Sequence, residues 1–127
     1  MERLAWVGLG GAAGSMARYL LSGWVSQRLG TSFPLGTLCV NLAGSFLLGA
    51  VMHYALATAR LSPNVQLGLT VGVLGGFTTY SSFNYEVLTS LQGGAWFLAA
   101  ANVLATLCGC LAAGLLGQAL GRAILGG

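Results

Sequence analysis

Charge is nearly absent over three long stretches, and this decides the solvent in which the chain can fold. Leu29 to Ala59 runs 31 residues without a formal charge, Leu61 to Tyr85 runs 25, and Val87 to Gly121 runs 35. A helix crosses the hydrocarbon core of a bilayer in about 20 apolar residues. Each stretch therefore holds one crossing. The charges are Glu2, Arg3, Arg18, Arg28, Arg60, Glu86 and Arg122, with no Lys and no Asp. They are 6% of the 127 residues, against about 25% in soluble domains. Seven charges cannot cover a water-facing surface of this size, so the expected partner of that surface is the lipid bilayer.

The pattern predicts an all-α membrane protein with four spans. They are Leu4–Val25, Leu35–Ala57, Val65–Leu91 and Ala95–Gly117, joined by the polar or helix-breaking segments Gln27–Pro34, Thr58–Asn64 and Gln92–Gly94. Residues 1–127 then read as one four-helix transmembrane domain with its function inside the membrane. The first span is interrupted by Arg18 and has no clear cleavage site, so it reads as a mature helix and not as a signal peptide. Four spans put both termini on one side with Arg3, Arg60 and Arg122, offset by Glu2. Arg28 lies on the other. The positive-inside bias is slight, favours cytoplasmic termini, and is compatible with insertion in both orientations.

Small residues at four-residue spacing let helices approach closely in lipid. Gly10/Gly14, Ser45/Gly49 and Gly109/Ala113/Gly117 form such seams. They suggest an oligomer, with packing inside one bundle as the alternative, and two-fold symmetry is the commonest closed assembly. Cys39, Cys108 and Cys110 fall within spans and outline no disulfide framework. His53 reads as an interfacial residue.

The segment Gly72–Glu86, GVLGGFTTYSSFNYE, carries the most chemistry. A glycine pair followed by Thr78, Thr79, Ser81, Ser82 and Asn84 makes a poor lipid-facing helix. Irregular backbone at membrane depth persists only where protein or a water-filled cavity satisfies it, and transporters hold ions at such places. The expectation is a helix broken near Gly75–Thr79, with carbonyls free for a cation and hydroxyls or amides free for an anion. Asn41, Ser45, Gly49 and His53 share a helix face, as do Asn102, Thr106 and Cys110. Such uncharged donors suit a small hydrated anion, although each alone is ordinary interhelical glue. Tyr80 and Phe83 share a face if the helix resumes, and aromatic rings have positive edges. Arg18 and Glu86 lie furthest from the span ends. Arg18 reads as a snorkelling residue or a pore-mouth charge, and Glu86 as its partner or a helix cap. Gly8-x-Gly10-Gly11-x-x-Gly14 follows no strand and lacks the acidic residue of a dinucleotide site, so neither nucleotide nor nucleic acid is expected. No catalytic triad or metal-ligand cluster is visible, and the chain does not read as an enzyme.

These motifs resemble the CrcB/Fluc family of fluoride channels over nearly the whole chain. The resemblance rests on Gly10-Gly11-x-x-Gly14-x-x-x-Arg18-Tyr19, on Gly36-Thr37-Leu38-x-Val40-Asn41-x-x-Gly44, and on GGFTTYSSFNYE from Gly75 to Glu86. It implies a multi-pass protein of the cell inner (plasma) membrane, forming an antiparallel, dual-topology homodimer with two fluoride pores. It also implies a central structural sodium ion (Na+) held by backbone carbonyls at the third-helix break, which match Gly75 and Thr78. Asn41 matches the family's pore asparagine, and Tyr80 and Phe83 fall on its two pore phenylalanines. Thr79, Ser81 and Ser82 match its hydroxyl track, and Thr106 a polar pore residue of the fourth helix. Tyr80 stands where phenylalanine is usual, Ser82 replaces a threonine, and Asn102 is polar where some relatives have an aromatic.

Two other readings compete. A small multidrug-type exporter also has four spans, but exchanges protons through a carboxylate in the first helix, where this chain has Arg18. A non-conducting subunit of a heterodimer is the second, kept open by Tyr80. The channel reading needs no ATP. Neutral hydrofluoric acid crosses membranes and dissociates in an alkaline cytoplasm, and an inside-negative potential then drives the trapped fluoride out through a passive pore.

Overall fold

The computed structural model describes residues 1–125, and these are helical with no strand. α1 spans Glu2–Leu29 and ends at Gly30, whose left-handed backbone (φ 51°, ψ 32°) turns its N–H onto the Ser26 carbonyl at 3.1 Å. Glycine accepts that conformation without a Cβ penalty. α2 spans Leu35–Thr58 behind Pro34. The next path starts with α3, Pro63–Leu67, where Ser62 accepts from the Val65 N–H at 3.4 Å and Pro63 occupies the first turn. Both are helix-start devices. A π-helical stretch follows over Gly68–Leu74, then α4, Gly75–Phe77, then α5, Tyr80–Gln92. α6 spans Trp96–Leu125, eight residues beyond the expected end of the fourth span at Gly117.

Among the described residues, two helices are long and apolar enough to cross a membrane, α2 and α6. The other two paths depart from a uniform apolar rod. α1 carries Arg18 and several polar residues. The third path is divided by the π stretch and by the two non-helical residues Thr78 and Thr79.

The polarity of the molecule is that of a lipid-solvated chain. Its core is small, with Val25, Val40, Ala55, Leu74, Phe77, Phe83 and Ala99 as the buried apolar residues. Large apolar side chains lie outside instead, among them Leu9, Tyr19, Leu56, Phe97 and Leu111. Close backbone approach holds the helices together. A Cβ on Gly14 would collide with the Val73 carbonyl and come within 2.9 Å of the Phe77 nitrogen. One on Gly117 would collide with the Phe46 carbonyl and come within 3.0 Å of the Ala50 nitrogen. Gly10 meets Gly72 on the α1–π seam, and Gly49 meets Gly114 on the α2–α6 seam. Gly10, Gly14, Gly49 and Gly117 are therefore spent on packing inside one chain, the alternative left open beside an oligomer. His53 packs on Gly121 of α6.

Candidate functional site

Thr78 and Thr79 leave the helical path with extended backbone, at φ −78°, ψ 156° and φ −149°, ψ 115°. The non-helical residues thus lie after the Gly75–Gly76 pair, which is itself helical. Glycine is not what ends this helix. Thr78 still donates its N–H and its hydroxyl to the Leu74 carbonyl, at 3.0 and 3.1 Å. Thr79 is bound by a side chain from α2. Asn41 Oδ1 accepts the Thr79 N–H at 2.8 Å, and Asn41 Nδ2 donates to the Thr79 carbonyl at 3.0 Å. α5 then starts on Thr79, whose Oγ1 accepts from the Ser82 N–H at 3.2 Å and donates to Ser82 Oγ at 3.1 Å. Ser81 Oγ lies 3.4 Å from the same oxygen. Thr79, Ser81 and Ser82 therefore form one hydroxyl cluster.

The carbonyls from Gly75 to Thr78 lose their ordinary helical partners here, and for the first and last the diverted N–H is seen. In an unbroken helix the N–H of Thr79 would serve the Gly75 carbonyl, and that of Ser82 the Thr78 carbonyl. Both N–H groups are instead bound by side-chain oxygens, those of Asn41 and Thr79. Gly75 is exposed in the isolated chain.

Two cavities have Thr79 in their lining. One of about 280 Å³ is lined by Asn41, Thr78, Thr79, Tyr80, Phe83 and Thr106, with Ser45 and Cys110 nearby. Of the expected pore residues it brings together Asn41, Thr79, Tyr80, Phe83 and Thr106, but not Ser81 or Ser82. Phe83 is buried and Tyr80 is 74% exposed, their rings 5.7 Å apart and inclined at 62°, edge to face. Thr106 donates to Asn102 Oδ1 at 3.1 Å, one turn back on α6. The second cavity, about 260 Å³, shares Thr79 in its lining, with Ser15, Arg18, Thr37 and Ser82.

Arg18 and Glu86 do not pair among the described residues. Thr37 Oγ1 donates to Glu86 Oε1 instead, so the carboxylate is held by α2. Arg18 Nε, Glu86 Oε2 and Asn102 Nδ2 are buried without hydrogen-bond partners. The Thr37–Glu86 contact was not read from the sequence. Its signal is weak there, because the two residues lie 49 positions apart on different helices. The role of Asn41 toward Thr79 was also missed. Its polar stripe was legible, but which group it faces depends on how α2 packs.

The family described as CrcB-like protein, Camphor Resistance (CrcB), matches residues 5–118. A protein named fluoride-specific ion channel FluC from Sorangium cellulosum (strain So ce56) is 53% identical over 127 residues, all of both chains. Its namesake in Anaeromyxobacter dehalogenans (strain 2CP-1 / ATCC BAA-258) is 51% identical over 126 residues, 99% of this chain and 100% of its own. That of Citrifermentans bemidjiense is 44% identical over 124 residues, 98% of this chain and 100% of its own. With a profile match over most of its length and relatives aligned end to end, this chain belongs to the CrcB-like family.

Proposed function

We infer that this chain is a subunit of a fluoride-selective, passive ion channel. The observation that carries the reading is the 280 Å³ cavity, which gathers Asn41, Thr79, Tyr80, Phe83 and Thr106 from three helices. Fluoride is small and strongly hydrated, so a path for it must replace water with donors. Hydroxyl and amide groups do so without a fixed positive charge that would trap the ion. The hydroxyls of Thr79, Ser81 and Ser82 form the donor track beyond Asn41. The ring edges of Tyr80 and Phe83 face the passing anion. Arg18, in the adjoining cavity with Ser15 and Thr37, raises the local potential at the mouth.

The working unit of this reading is an antiparallel, dual-topology homodimer in the inner (plasma) membrane, with four spans per subunit and the third broken at mid-membrane. The exposed apolar side chains of α1, α5 and α6 support a lipid-facing and partner-facing exterior. The Gly75 and Thr78 carbonyls fit a structural Na+, since both have lost their helical partners and both are neutral, hard oxygen donors of the kind that unwound membrane helices offer to sodium. When bound, the ion supplies a fixed charge that holds the two carbonyls together.

Proton-coupled export is the weaker alternative. It requires a membrane carboxylate in the first helix, where this chain carries Arg18. Fluoride efflux from liposomes with the proton gradient collapsed tests the choice. A channel keeps its rate, and an exporter loses it.

A further inference from the structure

Thr79 and Asn41 face each other as a matched pair. An extended residue presents its own N–H and C=O on the same side, as in a hydrogen-bonded antiparallel pair. A helical residue points them in opposite directions along the axis. A single side-chain amide can therefore satisfy both groups of Thr79 only while Thr79 is extended. Asn41 does so, from a position 7% exposed. The N–H it takes is the one that the Gly75 carbonyl would claim if the helix closed. Asn41 Oδ1 and the Gly75 oxygen thus compete for one proton, and the winner decides whether the carbonyl is free. Gly44, one turn along α2, lets the helix come this close. A Cβ there would collide with the Thr78 methyl and come within 3.2 Å of the Phe77 ring.

We propose that Asn41 is a positioning residue whose amide holds Thr79 extended and so keeps the Gly75 carbonyl out of the helix. The same residue lines the anion cavity, so one side chain couples the anion path to the carbonyl pair. The proposal rests on the channel reading only for what the free carbonyl serves. The clamp itself is a statement about backbone conformation.

The test is therefore read first by nuclear magnetic resonance on the isotope-labelled full chain in lipid nanodiscs. In the unchanged protein, Thr79 carries Cα and Cβ shifts of extended backbone and an amide protected from exchange. An exchanging amide or helical shifts overturn the clamp with no variant needed. Asn41→Ala moves the Thr79 shifts toward helix, and raises the sodium concentration giving half-maximal fluoride efflux about tenfold, the equivalent of one net hydrogen bond. Thr106→Val, in the same cavity but bonded to Asn102, leaves the Thr79 shifts in place. Gly44→Ala, which keeps the amide but pushes α2 away, reproduces the Asn41→Ala shifts if that variant does not fold. Extended Thr79 shifts in Asn41→Ala overturn the proposal, and so does an unchanged sodium requirement. Failure of the unchanged protein to move fluoride would overturn the channel reading while leaving the Thr79 shifts interpretable.

Discussion

Glu86 sits inside an apolar chain because Thr37 reaches it from α2. Replacing Thr37 by valine keeps the shape and removes the donor to Glu86 Oε1. Desolvated polar groups left unpaired cost about 1–3 kcal/mol. Thr37→Val should lower the unfolding free energy in detergent by that amount, whereas Thr37→Ser, which keeps the hydroxyl, should recover most of it. Thr79 invites a similar experiment. It caps α5 through Oγ1, and loss of such a cap costs about 1 kcal/mol. Thr79→Val should destabilise by that much and Thr79→Ser by far less, read by the same unfolding measurement. Tyr80 departs from the phenylalanine usual in the family it resembles, but its ring keeps the edge-to-face geometry with Phe83. If the ring edge is what fluoride meets, Tyr80→Phe conducts within about threefold of the original. Tyr80→Ile, without the edge, loses an interaction of roughly 1 kcal/mol, or about fivefold in rate.

At the scale of elements, helix contact in this chain is made by missing side chains. A methyl at Gly14 would drive α1 off the π stretch, and one at Gly117 would drive α6 off α2. Overpacking of this kind costs about 1–3 kcal/mol. Gly14→Ala should therefore lower thermal stability in detergent, and Gly8→Ala, where nothing lies within 4 Å, should not. The helical path itself was largely legible. Charge-free runs located the long helices, and the polar residues after Gly76 marked where regular helix becomes unprofitable. What local sequence could not supply was the residue that ends it. The break was expected near Gly75–Thr79, and the extended residues are the last two of that range, Thr78 and Thr79, while Gly75 and Gly76 stay helical. The deciding group, Asn41, is 38 positions away. The π stretch over Gly68–Leu74 was not legible either: the Gly10/Gly14 spacing marked a close-packing face of α1, but not that the facing segment, which comes within contact of both glycines, is π-helical.

At the scale of the whole molecule, the exterior is the unsolved half of the structure for a single chain in water and the natural one for a chain in lipid. Gly10, Gly14, Gly49 and Gly117 are used internally. In the proposed antiparallel dimer, the exposed flank of Gly75 and Tyr80 is a surface the two subunits would share. Fusion of a fluorescent tag to either terminus should then report equal populations facing each side of the membrane. A single orientation would exclude the dual-topology dimer. The central claim, that this cavity conducts fluoride, is tested most directly by anion efflux from liposomes holding the purified full chain, with fluoride and chloride compared under one potassium-driven voltage. Rapid fluoride release without chloride release is the predicted result. No fluoride release from well-folded protein, or equal release of both anions, would contradict it.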